Sequence, residues 1–153
     1  WMFFKSALDA DLADFAYRIA DTALTLWQNE CAESYCCFEH FMIESRRGAG
    51  WHQFSGLSSP IVQWFSAYYR PGTLTTGFDA FVRHTDWAPD NSALNATLDF
   101  TAAGRSTVLA VLQPGPKAVT ASVPCTVTTR HDGLLELTFA LDAPCTVTIS
   151  IHS

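Results

Sequence analysis

A chain of 153 residues with a formal net charge of −6 has the length of one ordinary domain or two small ones. The acidic balance argues against a nucleic-acid partner, because phosphate binding needs a basic patch to displace counterions. No basic amphipathic helix points to a membrane surface.

Residues are 48% hydrophobic and 16% charged, against about 25% charged in an average soluble domain. Such a chain either buries much of itself or carries apolar surface meant for a further segment. The opening Trp1-Met2-Phe3-Phe4 favours the second possibility. It is too short for a signal peptide or a membrane span, and on a free domain it is an exposed apolar patch. The expectation is the C-terminal part of a longer protein.

From Asp9 to about Asn29, Leu12, Phe15, Ile19, Ala23, Leu26 and Trp27 recur at three- and four-residue spacings, the stripe of an amphipathic helix. Asp9, Asp11 and Asp14 suit the positive end of its dipole. A second helix is expected from Ile61 to about Tyr69, with Ser58 or Ser59 as N-cap, Pro60 at its first position and Arg70-Pro71-Gly72 ending it. It carries Trp64, Phe65, Tyr68 and Tyr69, a heavy aromatic load. Between the two helices, periodicity fails over Glu30 to Ser59, and an inserted loop of about that length is usually functional or disordered. Its charged and aromatic content speaks against disorder.

Residues 73–92 read as a linker. Beyond it, Leu94, Ala96, Leu98 and Phe100 alternate with polar residues as in a strand buried on one face. Further β-branched runs follow at 107–112, 118–123, 125–129, 134–140 and 146–151, with a hairpin turn at Asp132-Gly133. This is the pattern of a small antiparallel sandwich. Pro124-Cys125-Thr126-Val127-Thr128 recurs as Pro144-Cys145-Thr146-Val147-Thr148. In a meander both copies would flank the 134–140 strand about 9.5 Å apart, beyond the ~7 Å reach of a disulfide, so two buried thiols are expected. Five cysteines without a C-x-x-C pair, and a lone sequon at Asn95-Ala96-Thr97, leave both secreted and cytoplasmic locations open.

The chemistry concentrates in the inserted loop. Glu33, Glu39 and Glu44 lie near His40, His52, Arg46 and Arg47. A loop carboxylate serves as general acid or base where its surroundings tune it. Glu44 with the arginines reads more simply as solvated ion pairs, and Glu33 as a loop or cap residue. Glu39, between Phe38 and His40-Phe41, is expected to be shielded from water, where a carboxylate needs a partner. A metal set of Glu39, His40 and His52 lacks any H-x-x-x-H or H-E-x-x-H spacing, so no metal and no cofactor is expected. Cys36-Cys37 near His40 shows no third group to orient a nucleophile. Trp51 with His52, Gln53 and Ser55 offers a flat apolar face beside hydrogen-bonding groups, the lining of a site for a sugar.

Glu39-His40-Phe41, Gly48-Ala49-Gly50 and Phe54-Ser55-Gly56-Leu57 leading into a helix together resemble the last hairpin of the six-hairpin, (α/α)6-barrel glycosidases, the trehalase-like and mannosyl-oligosaccharide-glucosidase-like enzymes. The resemblance covers roughly residues 8 to 70. It departs from the family where His52-Gln53 precede Phe54 and where Gly56 stands in place of a tryptophan. It implies an α+β chain: 1–72 as the terminal helical hairpin of an (α/α)6 barrel, 73–92 as linker and 93–153 as β-sandwich. It also implies Glu39 as catalytic base in a two-carboxylate, inverting hydrolysis of a carbohydrate substrate. His40, Trp51, His52 and Gln53 would bind that substrate, and the acid would come from the missing N-terminal part of the same enzyme. The chain alone would then be inactive. The competing expectation is a non-catalytic carbohydrate-binding or structural module.

Overall fold

A computed structural model describes residues 1–152. The side chains of Ser55, Leu57 and Ser58, among them a serine expected to cap the second helix, lie outside the described residues. In chain order the elements are α1 (Met2–Asp9), α2 (Ala13–Ser34), β1 (Phe38–Phe41), β2 (Gly48–His52), α3 (Ser55–Tyr69), β3 (Thr73–Thr75), β4 (Ala80–Trp87), β5 (Leu94–Phe100), β6 (Gly104–Val111), β7 (Ala118–Ala121), β8 (Cys125–His131), β9 (Leu134–Leu141) and β10 (Cys145–His152).

The strands form three antiparallel sheets: the β1-β2 hairpin, an outer sheet in the order β4-β5-β10-β7, and an inner sheet in the order β3-β6-β9-β8. The two four-stranded sheets face each other across a core of Leu94, Leu98, Phe100, Val108, Leu137, Phe139, Val147 and Ile149. Alternation along β5 and β10 sends one set of side chains into that core and leaves Asn95, Thr97, Thr146 and Thr148 on the opposite face, as a half-buried strand requires.

The inner sheet is different. On β6, Val108 and Ala110 join the core between the sheets, while Leu109 and Val111 join a second core with Leu134 of β9. That second core is completed by Phe4, Ala7 and Leu8 of α1, Ala16 and Ala20 of α2, and Ile61, Trp64, Ala67 and Tyr68 of α3. β6 is buried on both faces, which explains why its sequence reads as a continuous apolar run. Arg130 fixes the helical layer at its rim. It is paired with the buried Glu136, reaches Asp14 of α2 at 2.6 Å and lies 4.6 Å from the centre of the Tyr17 ring.

These elements correct the architecture expected from sequence. The structure is mixed and mostly β, with three helices and ten strands in three antiparallel sheets among the described residues. A helical hairpin of an (α/α)6 barrel is matched only in that α2 and α3 pack on each other. A β hairpin joins them, and α1 and α3 also lie against β6 of the inner sheet. The helix expected from Asp9 to about Asn29 is α2, which starts at Ala13 and runs on to Ser34; α1, not expected from the sequence, ends at Asp9 and is separated from it by Ala10–Leu12, where Asp11 takes φ 58°. Asp9 at the break accepts from the Phe78 and Asp79 N–H groups and from Ser106 Oγ, so its side chain ties α1 to the turn before β4.

Residues 73–92, read as a linker, contain β3 and β4, one strand for each large sheet. α3 begins at Ser55, earlier than expected, with Pro60 inside it. The residue whose carbonyl the proline ring would crowd, four positions earlier, is Gly56. The two Pro-Cys-Thr-Val-Thr copies do not share a sheet, because the chain crosses over between β9 and β10. Cys125 lies on the inner sheet and Cys145 on the outer one, both half-buried free thiols.

Leu109→Ala removes a fully buried side chain from the seam between sheet and helices. The expected loss is about 2–5 kcal/mol of unfolding free energy, read as a lower urea midpoint. A loss below about 1 kcal/mol would mean that the helices do not pack on this face as described.

Candidate functional site

The polar cluster read as an irregular inserted loop is an ordered two-stranded ribbon standing between α2 and α3. Its register pairs Phe38 with His52, His40 with Ala49 and Phe41 with Gly48. Two steps along β1 thus oppose three along β2, so β2 carries a bulge. Gly50, at φ 85°, supplies the left-handed conformation that such a bulge needs.

Gly50 has a second role. A Cβ there would meet Glu39 Oε2 at 2.7 Å and His40 Cε1 at 3.0 Å. The carboxylate and the imidazole converge on one bare stretch of backbone. Gly48 does the same for Phe38, whose Cδ2 would lie 2.1 Å from a Cβ at that position. Phe38 therefore folds across β2, meeting the His52 ring edge-on at 4.9 Å between centroids.

Glu39 is exposed, contrary to the expectation of a water-shielded carboxylate. The reason is local: the aromatic side chain before it folds across the hairpin onto Gly48 instead of over the carboxylate. His40, His52 and Gln53 are exposed as well, and Trp51 is 75% accessible. The ribbon thus presents Glu39, His40, Trp51, His52 and Gln53 to solvent on one small element. Gln53 sits at φ 54°, and the Phe54 N–H returns to Cys37 O at 3.1 Å, closing the base of the hairpin before α3 starts.

The ribbon is anchored by Glu30, which the sequence pattern placed only at the start of the inserted loop and which the structure places in α2. Glu30 is 4% accessible. One carboxylate oxygen accepts from Arg47 Nε at 2.9 Å and from the Gly48 N–H at 2.8 Å, and the other accepts from Arg47 Nη2 at 3.2 Å. Such a bidentate guanidinium bond is among the strongest available to a carboxylate. Arg47 also reaches Glu33 at 2.6 Å. These are the partners of Arg47, rather than Glu44 as the sequence spacing implied. The Arg47 guanidinium, followed by the Gly48 N–H, holds the Glu30 carboxyl down at about 2 against its ordinary 4.5. The signal in sequence was a carboxylate at the end of the apolar stripe, with no cation one helical turn away to serve it.

A second feature was also missed. Asp21, Leu24, Trp27 and Gln28 of α2 face Ile61, Val62, Phe65 and Tyr69 of α3 across an open, mainly apolar groove of about 520 Å³. Phe65 is exposed and Tyr69 is about 38% accessible, and loss of water around the Tyr69 hydroxyl, followed by its bond with Tyr17, pushes that hydroxyl up to about 12. The heavy aromatic load of α3 was the legible trace of this groove.

Among the described residues, no group of three His, Cys, Asp or Glu side chains could hold a metal ion. Nor, among the described residues, is any helix long and apolar enough to cross a membrane.

The acid limb of stability should report the Glu30 anchor. Because the folded carboxyl lies below its unfolded value, its contribution is complete above about pH 4.5 and is lost as pH falls toward 2. Glu30→Gln should unfold with a shallower pH dependence than the parent between those limits and in parallel above them. Identical slopes below pH 4.5 would show that the anchor does not hold in solution.

No family model, no curated protein and no solved structure matches the chain.

Proposed function

We propose that this chain supplies one wall of the sugar site of a glycoside hydrolase, with Glu39 as one of two catalytic carboxylates. The observation that carries the reading is the convergence of Glu39 and His40 on Gly50 beside the exposed Trp51. An accessible carboxylate, a hydrogen-bonding ring and a flat indole together meet the needs of an anomeric centre. The indole offers its face to the apolar side of a pyranose, and His52 and Gln53 offer hydrogen bonds to hydroxyls.

In the inverting form of the reaction, Glu39 takes a proton from a water molecule as that water attacks the anomeric carbon. The bond to the leaving oxygen breaks as a second carboxyl protonates it, with the two carboxyl groups roughly 6.5–9.5 Å apart to admit the water. The acid in this reading is contributed from outside the chain, so these 153 residues bind saccharide but do not hydrolyse it by themselves.

The groove between α2 and α3 favours a second reading. Trp27, Phe65 and Tyr69, with Asp21 and Gln28 among them, form an aromatic and polar lining that would hold a saccharide without using Glu39. The chain would then be a non-catalytic carbohydrate-binding module.

Kinetics on a panel of glucosides and mannosides separate the two, using the polypeptide that joins this chain to its acid-bearing part. Glu39→Gln should lower kcat by about 10²–10⁴-fold, the range for a lost general base, and Trp51→Ala should act mainly on KM. Activity retained by Glu39→Gln, together with affinity lost on Phe65→Ala, would replace the catalytic reading with the binding-module one.

A further inference from the structure

The groove between α2 and α3 has a direction. The Tyr17 ring meets the Tyr68 ring edge-on at 5.3 Å, and at the other end the Phe54 N–H reaches Cys37 O at 3.1 Å, so the two helices run antiparallel. Asp21, one turn beyond Tyr17, therefore enters the groove on the level of Phe65. Trp27 lies about 9 Å further along, at 1.5 Å per residue, toward Ile61. One end of the groove thus brings a carboxylate to two aromatic rings, Phe65 and Tyr69. Leu24, Ile61 and Val62 line the length from there to Trp27 with apolar surface.

Asp21 is the one charged side chain among the described residues that line the groove. Asp11 and Asp14 each meet an arginine. Asp21 is exposed and, among the described residues, has no ion pair. The Phe65 and Tyr69 rings stand 5.9 Å apart, inclined by 31°. The His131 ring stacks on Tyr69 at 5.1 Å between centroids and 5° between planes. That stacking braces the aromatic wall before any ligand arrives, which lowers the cost of ordering it on binding.

We propose that this groove binds a small free organic cation, a substituted ammonium that carries an aromatic or alkyl body. The ammonium sits against the Phe65 ring and the accessible part of the Tyr69 ring, whose negative faces attract it, with the Asp21 carboxylate beside it. The body lies along Leu24, Ile61 and Val62 toward Trp27, where its removal from water adds to binding. The volume of about 520 Å³ falls within the roughly 300–1,000 Å³ of small-molecule sites. Other ligand classes fit less well. An anion would face Asp21 with no cation in the described lining to receive it. A saccharide would set hydroxyls against aliphatic side chains along most of its length. The proposal uses no residue of the ribbon and does not rest on the sugar reading of it.

Three probes of similar shape test it: benzyltrimethylammonium, neutral benzyl alcohol and anionic phenylacetate. Each is titrated into the isotope-labelled whole chain while amide, indole and aromatic resonances are followed. The expected result is saturable binding of the cation, at least about tenfold tighter than either analogue, with shifts centred on Asp21, Trp27, Phe65 and Tyr69. Asp21→Asn and Phe65→Ala should each weaken it by about three- to thirtyfold, the span of such cation contacts. Added salt should weaken binding to the parent more than to Asp21→Asn. Both side chains are exposed, and unchanged resonances far from the groove confirm that each variant is folded. Benzyl alcohol binding as tightly as the cation, an affinity unaltered by Asp21→Asn, shifts centred on the ribbon, displacement of the cation by a saccharide, or no saturation would each overturn the assignment.

Discussion

The structure depends on one constraint, that β6 is apolar on both faces. Val108 and Ala110 must meet the outer sheet, and Leu109 and Val111 must be covered from the other side. A sandwich left bare on that side would expose a contiguous apolar patch. α1, α2 and α3 supply the cover, and Arg130 with Glu136 and Asp14 ties the layer at its rim. The direction of α2 follows from this packing, and with it the position of Glu30 at its far end. The ribbon hangs from that carboxylate through Arg47 and Gly48.

This arrangement separates the parts that hold the site from the part that offers it. The Glu30 carboxylate and the core are buried; Arg47 and the ribbon surface are not. Gly50 permits both the bulge and the approach of Glu39 and His40 to the backbone. Two short strands would be marginal alone, and this pair is held by the bond from the exposed Arg47 to the buried Glu30 carboxylate and by the Phe54–Cys37 bond at its base.

Much of the β portion was legible in the sequence because alternation is a local signal. β5 reads directly from Leu94, Ala96, Leu98 and Phe100, and the turn at Asp132-Gly133 separates β8 from β9 as expected. What escaped depended on distant partners. The break between α1 and α2 is stabilised by Asp9 bonding to residues near 78, 79 and 106, none of them visible in a window of helix. The two cysteine repeats are identical over five residues yet lie in opposite sheets, because sheet assignment is set by the crossover and not by the strand. For the residues expected to form the candidate site, their closeness in the fold was legible and their setting was not. Glu39, His40, Trp51, His52 and Gln53 do share one element. The shielding expected for Glu39 failed because strand pairing, rather than sequence adjacency, decides where Phe38 lies.

The central claim is that a sugar meets this chain at the ribbon. Titrating isotope-labelled chain with saccharides while following amide, indole and imidazole resonances tests it most directly. The account predicts that perturbations centre on Glu39, His40, Trp51, His52 and Gln53 and disappear in Trp51→Ala. Perturbations confined to the polar face of the outer sheet around His84, Asn95, Thr97 and Thr148, or none at saturating sugar, would contradict it.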